Sequence, residues 1–471
     1  MFRRLYSDDQ IARISRAAVR VLGEMGIRVQ NQVCLDAMGR FGARVNYAQE
    51  RAILPPDVID RALEIVRSAS AASLFELERL SSDYSAGGDG SCPLYYREDL
   101  GARRRATEAD CVEALKICDT SGVVSTTIPA LNGDVGHRYE AIRCLELAIE
   151  TLDQTVIRAT DLFFPEQVPF AVELGELYAD DPAWFLPGAN CITSPLTIGK
   201  TIADLAVAKA PYTGCTYVAP PMPVMGANAP MTPIGAAILG VAEILGSYVL
   251  AKSLNLDTPV SALALCALMD MRGGYVVFCA PEVLAADIAI CETMQYHLNL
   301  PCRAYGGYAD AKLPGMRAIR EKLLRSLGSA LYSGMTGFSG SLDQGKVFSP
   351  TQMILDQELH SFLARYSVDP SVADECIAAT EAILDVAWHP GGYLTHEHTV
   401  RNMQDVWRSI IYERGPWVSI EEESEKEGGY LEKAQQTWRD NLARYVPPDH
   451  SHEFLRELHR ISRKAREALR G

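Results

Sequence analysis

Between about residue 106 and residue 350, short apolar runs alternate with longer segments of helical spacing. Continuous apolar runs of this kind are typical of the strands in a parallel sheet that helices cover. Seven such units in about 230 residues, with an eighth not identified, predict an α/β fold built as a (β/α)8 barrel. A doubly wound open sheet is the alternative. The predicted strands span residues 123–127, 154–159, 184–192, 215–219, 259–265, 302–305 and 335–339.

Helical sections flank the predicted barrel on both sides. The pattern divides the chain into an N-terminal helical section (1–105), the barrel (106–350) and a C-terminal helical section that packs on it (351–471). The Gly/Ser-rich stretch Ser81–Ser91 is predicted to be a loop near the first boundary. The acidic run Glu421–Glu427 is interpreted as a solvated turn.

Composition excludes several classes of function. Lys and Arg number 45 against 60 Asp and Glu, which gives a net charge of −15 and argues against a nucleic-acid partner. The longest apolar run, Ile234–Ala251, contains Glu243 and three glycines, so it predicts a barrel helix rather than a membrane span. The twelve cysteines are scattered without a C-x-x-C pair, and the first residues lack the apolar core of a signal peptide. A cytoplasmic protein with reduced thiols is expected.

In a barrel, the loops that follow the strands form the active site. The loop Val218–Pro233 contains five prolines and three methionines, with Asn228 and Thr232 as its polar points. It is interpreted as a wall of a substrate or cofactor pocket. The alternative is a connection that only packs against a neighbour. Thr232 followed by Pro233 predicts the start of a helix.

The loop Arg303–Lys312, RAYGGYADAK, carries the most specific chemistry. Gly306-Gly307 permits an unusual backbone conformation at a strand end. Tyr305 and Tyr308 offer aromatic faces and Asp310 a carboxylate, the combination that recognises a quaternary ammonium ion. The alternative is that one tyrosine belongs to the core and Asp310 only caps the next helix.

A third loop, Gly337–Ser349, is rich in glycine and serine. It is interpreted as a flexible polar loop that binds anions or closes over the site, with an ordinary exposed loop as the alternative. The nine histidines include the pairs His396/His398 and His450/His452, both far from the first predicted strand, where zinc hydrolase barrels place such a pair. No metal site is predicted, and the first pair is expected to pack at a helix start.

Five segments together resemble the trimethylamine methyltransferase superfamily, in the right order over nearly the whole chain. The segments are 7–29 (SDDQIARISRAAVRVLGEMGIRV), 93–111 (PLYYREDLGARRRATEADC), 221–245 (PMPVMGANAPMTPIGAAILGVAEIL), 306–359 (beginning GGYADAKLPGM) and 393–407 (YLTHEHTVRNMQDVW).

This resemblance implies a (β/α)8 barrel that moves a methyl group from a methylated amine to a corrinoid. The chain lacks D-x-H-x-x-G, the signature of corrinoid carriers, so a separate corrinoid-binding protein is expected to supply the cobamide. The trimethylamine enzyme carries pyrrolysine in or near the position of residues 339–346, and this chain has none. Members without pyrrolysine resemble demethylases of quaternary amines such as glycine betaine, proline betaine, carnitine and γ-butyrobetaine.

A quaternary nitrogen is already a cationic leaving group, so no general base is required and no catalytic residue is predicted. The residues predicted to bind the substrate are Tyr95, Tyr96, Asn190, Asn228, Tyr305, Asp310 and Phe338. The residues predicted to contact the corrinoid are Gly306, Gly307, Gly340, Asp343 and Gln344.

Two other functions stay open. One is a betaine-binding or regulatory barrel that has lost catalysis. The other is an unrelated barrel enzyme, such as an aldolase, although the predicted strands contain no lysine for a Schiff base. A homo-oligomer is expected.

Overall fold

The structure is a computed structural model that describes residues 4–70, 85–86, 92–122, 125–126, 132–158, 161–333, 340–366, 372–387, 391–412 and 414–470. The helices are α1 (Asp8–Glu24), α2 (Gln32–Arg40), α3 (Pro56–Ser70), α4 (Glu108–Asp119), α5 (His137–Thr151), α6 (Val168–Ala179), α7 (Lys200–Lys209), α8 (Pro233–Leu254), α9 (Pro281–Glu292), α10 (Met316–Ser333), α11 (Pro350–Tyr366), α12 (Val372–Val386), α13 (Glu397–Asn402), α14 (Ile420–Ala443) and α15 (His452–Ala468). The strands are β1 (Ile27–Val29), β2 (Arg44–Asn46), β3 (Arg51–Ile53), β4 (Ser85–Ala86), β5 (Leu94–Tyr95), β6 (Arg104–Arg105), β7 (Ser125–Thr126), β8 (Val156–Ile157), β9 (Gly188–Ala189), β10 (Thr197–Ile198), β11 (Tyr217–Ala219), β12 (Val224–Met225), β13 (Val260–Ala264), β14 (Ala267–Asp270), β15 (Tyr275–Val277), β16 (Cys302–Ala304), β17 (Ser341–Leu342) and β18 (Val347–Phe348).

Two parallel sheets form the centre of this mixed α/β fold. One has the order β4-β7-β8 and the other the order β9-β11-β13-β16, so neighbouring strands follow one another along the chain with helices between them. Six of the seven predicted strands are confirmed as members of these sheets. The seventh, 335–339, lies outside the described residues.

The prediction of a loop across Ser81–Ser91 was wrong at its centre. Ser85 and Ala86 form β4, which pairs in parallel with Ser125 and Thr126 of β7. A strand of two small residues carries neither a β-branched run nor an alternating pattern, so the sequence gives no signal for it.

The second parallel sheet has one fully buried face and one half-buried face. Val260, Ala262 and Ala264 of β13 are buried in the main core with the helices, whereas Ser261 and Leu263 between them are half-buried. The same alternation occurs along β11 and β16. Since successive side chains in a strand point to opposite faces, we call the half-buried face the open face of the sheet.

Helix α8 is the central helix of the main core. It begins at Pro233, with the Thr232 hydroxyl accepting a hydrogen bond from the Gly235 N–H at 3.2 Å, which confirms the predicted start. Its length and composition match a membrane-spanning helix, but 83% of its most apolar window is buried inside the fold. Helix α1 of the N-terminal section packs against it, while β1 adds in parallel to β10. The N-terminal section, predicted to be helical, contains α1 to α3 and also the short strands β1 to β6, which were not predicted.

Glu243 of α8 holds the loop that follows β9. Its carboxylate accepts hydrogen bonds from the Ser194 hydroxyl and the Leu196 N–H, each at 2.9 Å. Burial raises the pKa of Glu243 to about 7, because desolvation outweighs these two donors.

We expect Glu243 to make the folded protein less stable as the pH rises. The folded state binds this proton more tightly than the unfolded chain, so stability falls between about pH 4.5 and pH 7 by roughly 2–3 kcal/mol. In Glu243→Gln this part of the pH dependence should disappear, which urea unfolding at pH 5 and pH 8 measures. An unchanged slope in the variant would show that Glu243 remains ionised throughout.

The C-terminal section is mostly helical, as predicted, although residues 403–411 lie outside α13. The acidic run Glu421–Glu427 is the start of α14 rather than a turn, with Ser419 capping the Glu422 N–H at 3.2 Å. Carboxylates in a first helical turn complement the positive end of the helix dipole, so the run stabilises the helix it begins.

Candidate functional site

An aromatic cluster lies where β16 ends. Tyr305 continues the strand, with its N–H donating to the Ala264 carbonyl at 3.0 Å. The ring of Tyr308 lies 4.9 Å from the rings of both Tyr305 and Phe278, measured between centroids. All three rings are buried, and Leu263 of the open face packs against them. The predicted pairing of Tyr305 with Tyr308 is therefore present at a strand end.

The carboxylate of Asp310 fastens this loop to the end of β15. It accepts hydrogen bonds from the N–H of Phe278 at 3.0 and 3.1 Å and from that of Cys279 at 2.9 Å. Gln344 donates to it at 3.3 Å. These contacts position the Phe278 ring, and they account for the burial of Asp310. Contact between Asp310 and the substrate remains a prediction.

A buried ion pair between Arg325 and Asp287 holds the chain segments that carry the aromatic cluster. Arg325 of α10 donates to the carbonyl oxygens of Tyr305 at 2.7 Å and Phe278 at 2.6 Å, and to the Asp287 carboxylate at 2.8 Å. The other oxygen of Asp287 accepts from the Cys266 N–H at 2.6 Å. One pair of charges thus joins three chain segments where the parallel strands end. We call this edge of the sheets the rim. Nothing in the sequence pattern indicated this role for either residue.

Arg303 lies on the open face of the sheet, two residues before Tyr305. Its strand neighbours Cys302 and Ala304 are buried among the helices, so Arg303 points the opposite way, beside Leu263 of β13. Burial lowers the pKa of Arg303. Among the described residues, the structure gives its guanidinium no hydrogen bond or ion pair. A largely buried cation without a counter-ion is costly, and it is the group that an anionic ligand would satisfy.

The expected flexible loop after 337 is instead a buried β-hairpin from Gly340 onward. Strands β17 and β18 pair around the turn, where Asp343 and Gln344 adopt left-handed backbone with φ of 48° and 63°. Only Lys346 is exposed in the hairpin, because β18 also pairs with β5 and the segment joins two buried clusters.

Asp343 and Gln344 bind protein groups at the rim. The carboxylate of Asp343 bonds Arg103 and Lys312, while the Gln344 amide bonds the Val276 carbonyl and Asp310. The Gly306 carbonyl accepts from Ser326 at 3.3 Å, and the Gly340 N–H donates to Asp356 at 2.8 Å. The N–H groups of Asp343 and Gln344 donate to the carbonyls of Ala311 and Ala309 at 2.8 Å, so the hairpin lies beside the loop that contains Gly306 and Gly307. Contact of these residues with a corrinoid remains a prediction.

The other predicted substrate residues are dispersed. Tyr95 is fully buried in a separate cluster and donates to Glu113 at 2.9 Å, whereas its neighbour Tyr96 packs near Ala309 and Ala311 of the rim loop. The Asn190 amide bonds the Gly188 and Val218 carbonyls at 3.2 Å, and Asn228 accepts from the Val224 N–H at 2.6 Å. The structure thus brings Tyr96, but not Tyr95, near the aromatic loop. Phe338 lies outside the described residues.

Two groups of potential metal ligands serve other purposes. Ligand atoms of Cys279, Asp310 and Glu321 lie within 4.8 Å of one another. Both carboxylates accept backbone N–H bonds, and burial raises the pKa of Cys279 to about 12, which disfavours the thiolate that metals require. His396 accepts a hydrogen bond from the His398 N–H at 3.1 Å at the start of α13, which confirms packing at a helix start.

A large cleft of about 840 Å³ lies away from the strand ends, between α5 and α15. Arg143 on its wall is paired with Glu108 at 2.7 Å and Glu146 at 2.6 Å. The cleft therefore belongs to the helix surface. The aromatic cluster and Arg303 remain the best candidate site, since ligands of parallel α/β folds bind where strands end.

The fold and the site define an α/β protein with parallel sheets whose strand ends carry aromatic faces and a cation. A family model described as Trimethylamine methyltransferase (MTTB) matches residues 2–468, so the chain belongs to this family of methyltransferases and the resemblance is confirmed. It contains no pyrrolysine.

Curated relatives match along most of their length. The trimethylamine methyltransferase of Desulfitobacterium hafniense (strain DSM 10664 / DCB-2) is 22% identical, covering 87% of this chain and 84% of the relative. The glycine betaine methyltransferase of Desulfitobacterium hafniense (strain Y51) is 24% identical, covering 94% and 93%. The L-carnitine:corrinoid methyltransferase of Eubacterium limosum is 22% identical, covering 79% of each chain.

Proposed function

We propose that this protein is a demethylase of carboxylated quaternary amines, of the glycine betaine type, that transfers one methyl group to the Co(I) corrinoid of a separate protein. The single observation that carries this proposal is the guanidinium of Arg303, which has no partner in the described part of the chain, on the same face as the packed rings of Tyr305 and Tyr308. A betaine has a trimethylammonium group at one end and a carboxylate at the other. Aromatic faces recognise the first group, and a guanidinium recognises the second.

The spacing along β16 fits such a ligand. Arg303 and Tyr305 are two residues apart, which is about 7 Å along a strand. The carboxylate would bind Arg303, and the methylammonium end would then lie against the aromatic cluster toward the rim. We further propose that the two parallel sheets are arcs of one (β/α)8 barrel built from residues 106–350 together with β4 of the N-terminal section. The rest of 1–105 and all of 351–471 would be additions to it.

The residues of this chain need only bind the substrate, orient it and exclude water from it. The quaternary nitrogen leaves with the bonding electron pair as a neutral tertiary amine, so no proton moves and no general base is required. When docked, the corrinoid supplies the Co(I) nucleophile that accepts the methyl group. Holding the reacting carbon in line is worth several orders of magnitude in rate. Burial of Tyr305, Tyr308 and Phe278 keeps water from that end of the site.

The rim fits a docking corrinoid protein. The loops that follow the neighbouring strands β11, β13 and β16 expose large apolar side chains to solvent, many of them methionines, and these are Met222, Met231, Met271, Tyr275, Leu313 and Met316. Methionine-rich surfaces adapt to a partner that binds and leaves. Gly306, Gly307, Gly340, Asp343 and Gln344 lie in rim segments, and we propose them as the nearest contacts of the cobamide. The twelve cysteines are present as thiols, and reduced thiols support the cytoplasmic location that we propose.

A panel of methylated amines tests the proposed function. Purified protein is mixed with cob(I)alamin and either glycine betaine, proline betaine, carnitine, choline or trimethylamine, and methylcob(III)alamin is followed by its absorbance. We expect turnover with carboxylated quaternary amines, and little or none with choline and trimethylamine. Saturable betaine binding without methyl transfer to either cob(I)alamin or a corrinoid protein would favour a binding protein instead.

A further inference from the structure

The cleft between α5 and α15 gathers basic side chains, although the chain as a whole carries a net charge of −15. The basic residues that α15 contributes to its wall are His452, Arg456, His459, Arg463 and Arg466. Their spacing alternates between four and three residues, so they lie along one face of the helix. Of the described residues that line the cleft, none is one of the three glutamates of α15. This face of α15 is therefore purely basic.

The acidic side chains of the cleft already have partners. Glu108 and Glu146 lie opposite α15, and Arg143 pairs with them at 2.7 Å and 2.6 Å. Glu146 also accepts a hydrogen bond from the Ser462 hydroxyl. The carboxylates of the cleft are thus engaged by Arg143 rather than by the arginines of α15.

Arg463 and Arg466 are the basic groups that this pairing leaves over. Both are exposed, and no described residue forms an ion pair or a hydrogen bond with either guanidinium. Arg456, by comparison, lies 4.0 Å from Glu453. Because Arg463 and Arg466 are three residues apart on a helix, their Cβ atoms are about 5–6 Å from each other. Each guanidinium offers a fork of N–H donors that matches the oxygens of a phosphate or a carboxylate.

The same contacts disfavour a metal ion as the occupant. Ligand atoms of Glu146, Glu150 and His459 lie within 4.8 Å of one another beside the cleft. However, His459 bonds Glu150 at 2.7 Å, and the guanidinium of Arg143 occupies Glu146. A metal ion would have to displace a positive charge that is already in place.

The size of the cleft fits a small molecule. Its volume of about 840 Å³ lies within the range of about 300–1,000 Å³ that is usual for small-molecule sites. Val135 and Leu455, both half-buried, add apolar surface beside the charged groups. Two guanidinium groups are too few for a nucleic-acid backbone, on which a binding protein makes roughly 6–10 phosphate contacts.

We propose that this cleft binds a small molecule with a diphosphate or triphosphate chain, and that Arg463 and Arg466 hold neighbouring phosphates. Linked phosphates present adjacent oxyanions, which a pair of guanidinium groups on one helix face binds together. The apolar wall beside them accommodates an esterified group at the end of the chain. The proposal does not depend on the methyl-transfer function.

Isothermal titration of the full chain at low ionic strength tests this proposal, with sodium tripolyphosphate and ADP as separate probes. Both probes carry linked phosphates, and the comparison distinguishes an inorganic from an esterified ligand. We expect saturable binding of at least one of them. Arg463→Gln and Arg466→Gln should each raise its Kd by about tenfold or more, because each removes a charged donor. Both side chains are exposed, so folding should be retained, which circular dichroism checks.

Arg460→Gln is the matched control. Arg460 lies on the same helix but outside the cleft, where it pairs with Glu457 at 2.7 Å and Glu173 at 3.3 Å. This variant should bind the probe like the wild type. Absence of binding with both probes would overturn the proposal, and so would an equal loss of affinity in Arg460→Gln and in the two cleft variants. A hexaglutamate peptide that binds more tightly than either probe would assign the cleft to an acidic protein segment instead.

Discussion

Replacing Arg303 with leucine is expected to raise the KM for glycine betaine by a factor of about 30 to 5,000, with a small change in kcat. Removal of one partner from a buried charge pair costs about 2–5 kcal/mol in binding. Because the carboxylate is remote from the reacting methyl group, the loss affects ground state and transition state alike. Steady-state methyl transfer to cob(I)alamin measures both constants. Arg303→Lys should recover part of the affinity, since it keeps the charge but loses the two-pronged geometry.

A second readout separates binding from structural damage. The guanidinium of Arg303 is largely buried, and no described residue pairs with it, so Arg303→Leu should leave the thermal stability of the ligand-free protein unchanged or slightly raised. Arg44→Leu removes an exposed arginine from β2 and should change neither the KM nor the stability. A normal KM for glycine betaine in Arg303→Leu, or a large loss of its stability, would contradict the proposed role.

Arg325→Leu is expected to destabilise the fold by about 3–5 kcal/mol. It leaves the Asp287 carboxylate buried without a counter-ion, and burial already raises the pKa of that group. The carbonyl oxygens of Tyr305 and Phe278 also lose their donor. Urea unfolding measures the loss. Part of the stability should return in the double variant Arg325→Leu/Asp287→Leu, where no isolated charge remains.

The matched control for this prediction lies on the same helix. Arg320 of α10 is exposed, so Arg320→Leu should change the free energy of unfolding by less than about 0.5 kcal/mol. If Arg325→Leu is as stable as Arg320→Leu, the ion pair does not support the rim. The aromatic cluster would then depend on Asp310 alone.

The parallel sheets could be predicted from sequence because their strands are continuous apolar runs between helices. The strand formed by Ser85 and Ala86 could not be predicted, because two small residues show neither an apolar run nor an alternating pattern. The sequence also could not show which of the two neighbours, Tyr95 or Tyr96, faces the rim. Adjacent residues of a strand face opposite sides, and only the pairing of β5 with β18 fixes which side meets the rim.

Arg303 is the residue that sequence reasoning missed although a signal existed. It stands between Cys302 and Ala304 in a predicted buried strand, and strand alternation places an arginine there on the face away from the helices. Arg325 and Asp287 gave no such signal, since each is one charged residue among many on a helix. Their role depends on contacts between segments distant in sequence.

The most direct test of the account follows the methyl group itself. Glycine betaine with deuterated methyl groups is incubated with the protein and cob(I)alamin, and the products are analysed by mass spectrometry. We expect one deuterated methyl group on cobalt for each molecule of dimethylglycine formed. Dimethylglycine without labelled methylcob(III)alamin, or no loss of methyl groups from any carboxylated quaternary amine with either cob(I)alamin or a corrinoid protein as acceptor, would contradict it.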